Sequence, residues 1–140
     1  MVDEAAVIVP IQFEKVLQSR AYTCVVLGTP EKKFAIYTDP SSGKAMHTFL
    51  AATEKTRPST HDLIHSIFLG FDIKVKHIII YDLQDTIYFG RLFLEQSINE
   101  IVHIVEIDAR PSDCISLALL FRAPIFCTEA VLEKTIAYAE

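Results

Sequence analysis

Apolar residues alternate or run together through most of the chain, and polar clusters cut them into segments of strand or helix length. Residues 7 to 18 are β-branched and apolar, with Pro10 near a strand start, and Tyr22 to Leu27 form a second strand beyond a turn at Ser19-Arg20. Gly28-Thr29-Pro30 followed by Glu31-Lys32-Lys33 reads as a hairpin turn, after which Phe34 to Tyr37 alternate back. Asp39 to Gly43 breaks the sheet. Lys44 to Lys55 then has helical spacing, with Ala45, Met46, Phe49, Leu50 and Ala52 on its inner face, and the polar segment Glu54 to Ser59 is a connection.

The next helix is predicted over Thr60 to Leu69, opened by Ser59 and Asp62 in the spacing of a capping box and closed by Gly70. Leu63, Ile64, Ile67 and Phe68 are expected to face inward. Lys74 to Tyr81 and Ile87 to Leu94 make a strand pair around a turn at Asp82 to Thr86. Glu95 to Glu100 reads as a polar loop, and Ile101 to Ile107 as a further strand alternating around His103 and Glu106. A last helix begins near Thr128 or Glu129, with Val131, Leu132, Ile136 and Tyr138 apolar. The order βββααβββαβα predicts a single α+β domain over residues 1–140, a mostly antiparallel or mixed sheet covered by three to four helices.

Charge and core meet in Asp108 to Phe126. Pro111 suits the first turn of a helix, where its missing N–H costs nothing, so a helix starts near Arg110 to Asp113. Ser112 and Asp113 can accept hydrogen bonds from the first-turn N–H groups, and a carboxylate there meets the positive end of the helix dipole. Beyond it, apolar residues cover most of the circumference, which predicts a central helix buried on more than one side and ended by Pro124. A similar corner lies upstream: Arg57-Pro58-Ser59, then Asp62, set beside Arg110-Pro111-Ser112, then Asp113. Two such corners are what a distant internal duplication, or shared capping needs, would leave.

Composition narrows the function. Thirteen basic and 18 acidic residues give a net charge of -5, a poor footprint for gripping nucleic acid unless a local patch or divalent cations offset it. Three cysteines, Cys24, Cys114 and Cys127, each sit in an apolar run and read as buried free thiols of a reducing compartment. The short run Ala5 to Ile11 follows acids, so it is not a signal peptide, and no stretch has membrane-spanning length; the expected location is cytoplasmic. There is no Walker loop, dinucleotide fingerprint or nucleophile elbow, and with four glycines in all, Gly28, Gly43, Gly70 and Gly90, a phosphate-cradling loop is not expected.

His61-Asp62-Leu63-Ile64-His65 places two histidines four apart beside an acid, the layout of a zinc-protease helix, but the acid is Asp, no third ligand is evident, and polar-face histidines are the plainer reading.

The same residues resemble the bifunctional nuclease domain family of bacteria and plants. The similarity lies in Arg57-Pro58-Ser59-Thr60-His61-Asp62-Leu63, the strand pair around Asp82-Leu83-Gln84-Asp85, then Asp108-Ala109-Arg110-Pro111-Ser112-Asp113-Cys114, and Ala123-Pro124-Ile125. It covers the last ninety or so residues well. One departure is Lys44, where an acid is expected near the first helix; this bears on activity if that acid serves chemistry, and not if it only caps.

The resemblance implies a nuclease that hydrolyses DNA or RNA phosphodiesters with Mg²⁺ or Mn²⁺, since carboxylates converging on such ions activate water and neutralise phosphate charge. Asp62, Asp82, Asp85, Asp108 and Asp113 are the acids available. On this reading Asp113, Asp108 and Asp62 are catalytic, Asp108 and Asp113 hold the metal, and Arg110, Arg57, Ser112 and His61 bind substrate. Two alternatives stay open: a non-catalytic module that recognises an anion or a partner protein, and a scaffold in which the corners only cap helices. The apolar strands also predict a homodimer or larger assembly.

Overall fold

The computed structural model describes residues 5–52 and 56–139. Among these the chain runs β1 (Ile8–Gln18), β2 (Thr23–Gly28), β3 (Lys33–Thr38), α1 (Pro40–Ala51), α2 (Thr60–Gly70), β4 (Lys74–Gln84), β5 (Ile87–Ile98), β6 (Ile101–Ala109), α3 (Pro111–Phe121), β7 (Ile125–Thr128) and α4 (Glu129–Lys134), the element order the sequence predicts. The fold is α+β. Seven strands form one sheet in the order β3-β2-β1-β7-β4-β5-β6. It is mixed, because β7 runs parallel to β4 while the other neighbouring pairs are antiparallel.

The sheet curls enough that Phe34 of β3 stacks on Tyr88 of β5, with ring centroids 5.8 Å apart. α3 fills the concave side. Cys114, Ile115, Ser116, Leu117 and Ala118 are all buried, as an almost wholly apolar helix requires. β2 is buried at every position, and a bulge between Phe13 and Lys15 in β1 lets Ile11 and Val16, five residues apart, both turn into the core.

Several boundaries differ from the sequence expectation for local reasons. α1 begins at Pro40, not Lys44: the Asp39 side chain accepts the Ser42 N–H at 3.1 Å, and Pro40 occupies the first helical position. The residues that look like a sheet breaker are thus a cap and a first turn. Leu50 is exposed, and the expected end of that helix at residues 53–55 lies outside the described residues. α2 has the expected capping box but includes Gly70, with Phe71 as its C-cap. Ile64 and Phe68 pack on the core, while Leu63 and Ile67 are 56% and 46% exposed, so the inner face is narrower than its hydrophobic pattern. There is no loop at Glu95 to Glu100: β5 runs on to Ile98, and Asn99 and Glu100 make a two-residue turn, both at positive φ. Ile136 and Tyr138 lie beyond the short α4, and the Tyr138 N–H donates to the Lys33 carbonyl at 2.7 Å.

Candidate active site at three helix N-termini

The first turns of α1, α2 and α3 meet through their side chains. In both α2 and α3 the third helical residue is an aspartate that turns back toward its own N-cap residue. At α2, Asp62 accepts from the Ser59 N–H (2.7 Å) and hydroxyl (2.9 Å), completing the reciprocal cap. At α3 the N-cap residue is Arg110, whose side chain makes no backbone cap, and Asp113 instead receives a two-point contact from its guanidinium: Nε to Oδ2 at 2.9 Å and an Nη to Oδ1 at 3.1 Å. The two Arg-Pro-Ser corners therefore differ in frame: Ser59 is an N-cap, whereas Ser112 lies two residues inside its helix and is buried.

Asp113 has a second partner from across the chain. His61 Nε2 lies 3.0 Å from Asp113 Oδ1. If the carboxylate accepts from Nε2–H, the imidazole lone pair sits on Nδ1; the tautomer follows from the hydrogen bond. The His61 ring meets Phe49 edge-on, which ties α1 to the same spot. Burial pushes the Asp113 carboxyl up, but hydrogen bonds from Arg110 and His61, with their charges, outweigh it and leave the pKa below the ordinary value. The same contact holds the Arg110 guanidinium above its usual range.

Asp39 is the residue sequence reasoning missed. It lies 3.8 Å from Arg110 Nη1, and the hydroxyls of Ser41 and Ser42 hold its carboxyl well below the usual carboxylate range. Its signal was present: an Asp before a Pro at a helix start is an N-cap pattern.

The other expected site residues are placed apart. Gly90 and Ala109 form the row of the β5–β6 ladder that faces α3, since a Cβ on Gly90 would meet Cys114 Sγ at 3.0 Å. The next row, Arg91 and Asp108, therefore points to the other face of the sheet. There Asp108 accepts from the Tyr81 hydroxyl at 3.2 Å and sits 3.8 Å from Arg91. Asp108 and Asp113 thus engage separate partners. Asp82 is bound to Gln84 and the Leu83 N–H near Lys134, and Asp85 shapes the β4–β5 turn with φ 56°. Among the described residues no three His, Cys, Asp or Glu side chains gather as a metal group. His65 packs on Phe121 at 4.6 Å, away from the His61 contact. Arg57 is exposed on the approach to α2. Cys114 is buried, as its apolar run predicts, and burial, with the charges of Asp113 and Asp108, pushes its thiol up to about 12.

Beside Arg110 a cleft of about 250 Å³ runs between β3 and the β4–β5 turn, lined by Tyr37, Thr38, Thr86, Tyr88, Arg110 and Ser112 among others. A larger one of about 430 Å³ shares Tyr37, Thr86 and Tyr88 with it and continues toward Lys134 and Tyr138.

Residues 25–140 match the bifunctional nuclease domain. The chain belongs to that family. Two uncharacterized proteins of Mycobacterium tuberculosis, from strains CDC 1551 / Oshkosh and ATCC 25618 / H37Rv, are each 30% identical to it over 104 residues, 74% of this chain. The match spans 59% of the length of each of these relatives. Membership points to a nucleic-acid-binding or nuclease-like role, and this bifunctional nuclease domain carries both of the motif corners on which its resemblance rests. Among the described residues, no helix is long and apolar enough to cross a membrane.

Proposed function

We propose that this bifunctional nuclease domain hydrolyses phosphodiester bonds of DNA or RNA at the site formed by His61, Asp113 and Arg110. The observation that carries this is the His61–Asp113 contact of 3.0 Å in a pair already held by Arg110. Asp113 orients the imidazole so that Nδ1 takes the proton of a water attacking phosphorus, a role worth roughly 10²- to 10⁴-fold in rate; the P–O bond to the leaving nucleoside oxygen breaks, and that oxygen takes up a proton from solvent. Arg110, at the uncapped N-terminus of α3, presents guanidinium N–H groups and the positive end of a helix dipole to a phosphate in the adjoining cleft. Tyr37, 62% exposed, gives a base a ring to stack on. Arg57 adds a second phosphate contact, and Asp62 acts by fixing the first turn of α2, and with it His61.

A divalent cation entering here would meet Asp39 and Asp113, the two carboxylates that touch Arg110, and would have to displace that guanidinium. The donors gathered do not form a metal cage without that rearrangement, and Asp108, held by Tyr81 and Arg91 on the other face of the sheet, takes no part in this site.

The test is cleavage of single-stranded DNA, double-stranded DNA and RNA by purified protein, with Mg²⁺, with Mn²⁺ and with chelator. Turnover that is lost in the Arg110→Ala variant supports the assignment; turnover unchanged in that variant overturns it. The second reading, a non-catalytic module for an anion or partner protein, is favoured by Lys44, which is exposed on α1 where an acid is expected. It predicts saturable oligonucleotide or nucleotide binding with no turnover under any of the three conditions.

A further inference from the structure

We propose that β6 is the seam of a symmetric dimer, pairing antiparallel with β6 of a second copy of this chain about a twofold axis at Val105. β6 is an edge strand, and β5 is its ladder partner among the described residues. Edges exposed in a monomer are normally short or bulged, or carry lysine or proline. β6 has nine residues, no bulge in its register with β5, and neither lysine nor proline. Ile101, Val102, Ile104, Val105 and Ile107 are 61%, 54%, 48%, 50% and 40% exposed, on both faces of the strand. A strand apolar on both faces has the composition of a sheet interior. The opposite edge is treated differently: β3 has six residues, Lys33 binds Glu14, and the Lys33 carbonyl is taken by the Tyr138 N–H.

A second copy suits this edge better than another occupant. With the axis at Val105 all nine residues pair, Glu106 faces Ile104, Asp108 faces Val102 and Ile107 faces His103, so no carboxylate is set directly against another. Both acids also lie beside Arg91, at 3.7 and 3.8 Å. An edge with acids and no Lys or Arg, in a chain of net charge -5, repels nucleic acid. A stable dimer buries about 800 Å² per partner, near a tenth of the 8705 Å² surface of the chain. The five exposed apolar side chains of β6 form the centre of that area, and Gln96 of β5, which pairs with His103 of β6, donates to the Phe71 carbonyl at 2.7 Å and so brings the exposed Phe71 beside the seam.

Size-exclusion chromatography with light scattering should give twice the 15.8 kDa chain mass, and the Ile104→Lys/Val105→Lys variant should fall to 15.8 kDa with unchanged circular dichroism. Cysteine substitution keeps the test sharp if that variant fails to fold. Under mild oxidation Val105→Cys should become a disulfide-linked dimer. Ile101→Cys should not, because its two copies lie eight residues apart along the seam, roughly 26 Å. Cys24, Cys114 and Cys127 are buried and contribute little background. A monomeric wild type, a dimeric lysine variant, or cross-linking through Ile101→Cys instead of Val105→Cys overturns the proposal.

Discussion

His61 and Asp113, 52 residues apart in the chain, meet at 3.0 Å through Nε2 and Oδ1 and join the first turns of α2 and α3. Each of those turns is fixed by its own device: a reciprocal cap at α2 and an arginine fork at α3. Disturbing either device should therefore move the contact.

Ser59→Ala removes the hydroxyl that accepts the Asp62 N–H at 3.2 Å and that bonds the Asp62 carboxylate. Loss of such a cap costs about 1 kcal/mol, a fall of roughly 3 °C in Tm for a chain of this size. Because His61 lies in that turn, cleavage should fall as well. Thermal melting and a cleavage assay on one sample check both; a lower Tm with full activity would separate the cap from the site.

Gly43→Ala tests how α1 is seated. Its Cβ would come 2.4 Å from Thr23 Oγ1, the hydroxyl that accepts the Gly43 N–H and donates to the Asp39 carbonyl. Overpacking of this kind costs about 1–3 kcal/mol, read as a lower urea midpoint with unchanged slope. The Thr23→Ala/Gly43→Ala double variant should recover part of the loss.

Acidification gives a further readout. Asp39 and Asp113 both have folded pKa values lowered below those of the unfolded chain. Their contribution to stability is complete above the unfolded value of about 4 and is lost as pH falls through the folded values. Urea midpoints measured from pH 5 down to pH 2 should drop steeply for the wild type and less steeply for Asp39→Asn and for Asp113→Asn. Parallel curves would show that neither carboxylate is stabilised by its partners.

The element order was legible because each strand and helix carries its own period and its own stop. The central burial of α3 was legible for the same reason: an apolar circumference from Cys114 to Ala118 leaves no face for water. Tertiary choices were not. Leu63 and Ile67 repeat at helical spacing with Ile64 and Phe68, yet α2 packs only the latter pair against the core, both of them half-buried. The Glu95–Glu100 segment is polar enough to read as a loop, but ladder hydrogen bonds with β6 carry the strand to Ile98. Of the candidate site, Arg110 with Asp113 follows from the corner motif, since three residues of helix bring them together. The His61 contact depends on how α2 docks beside α3, and the separation of Asp108 depends on strand alternation across a ladder that composition does not reveal.

The most direct test of the central claim, that His61 and Asp113 act as one unit on a phosphodiester, is a double-mutant comparison of cleavage rates. Wild type, His61→Ala, Asp113→Asn and the double variant are assayed on the same oligonucleotide at pH 7, with folding verified by circular dichroism. Each single variant should lose roughly 10²-fold or more, and the double should be no slower than the slower single, because partners in one step are not additive. Either single variant cleaving at the wild-type rate, or losses that multiply in the double, would contradict it.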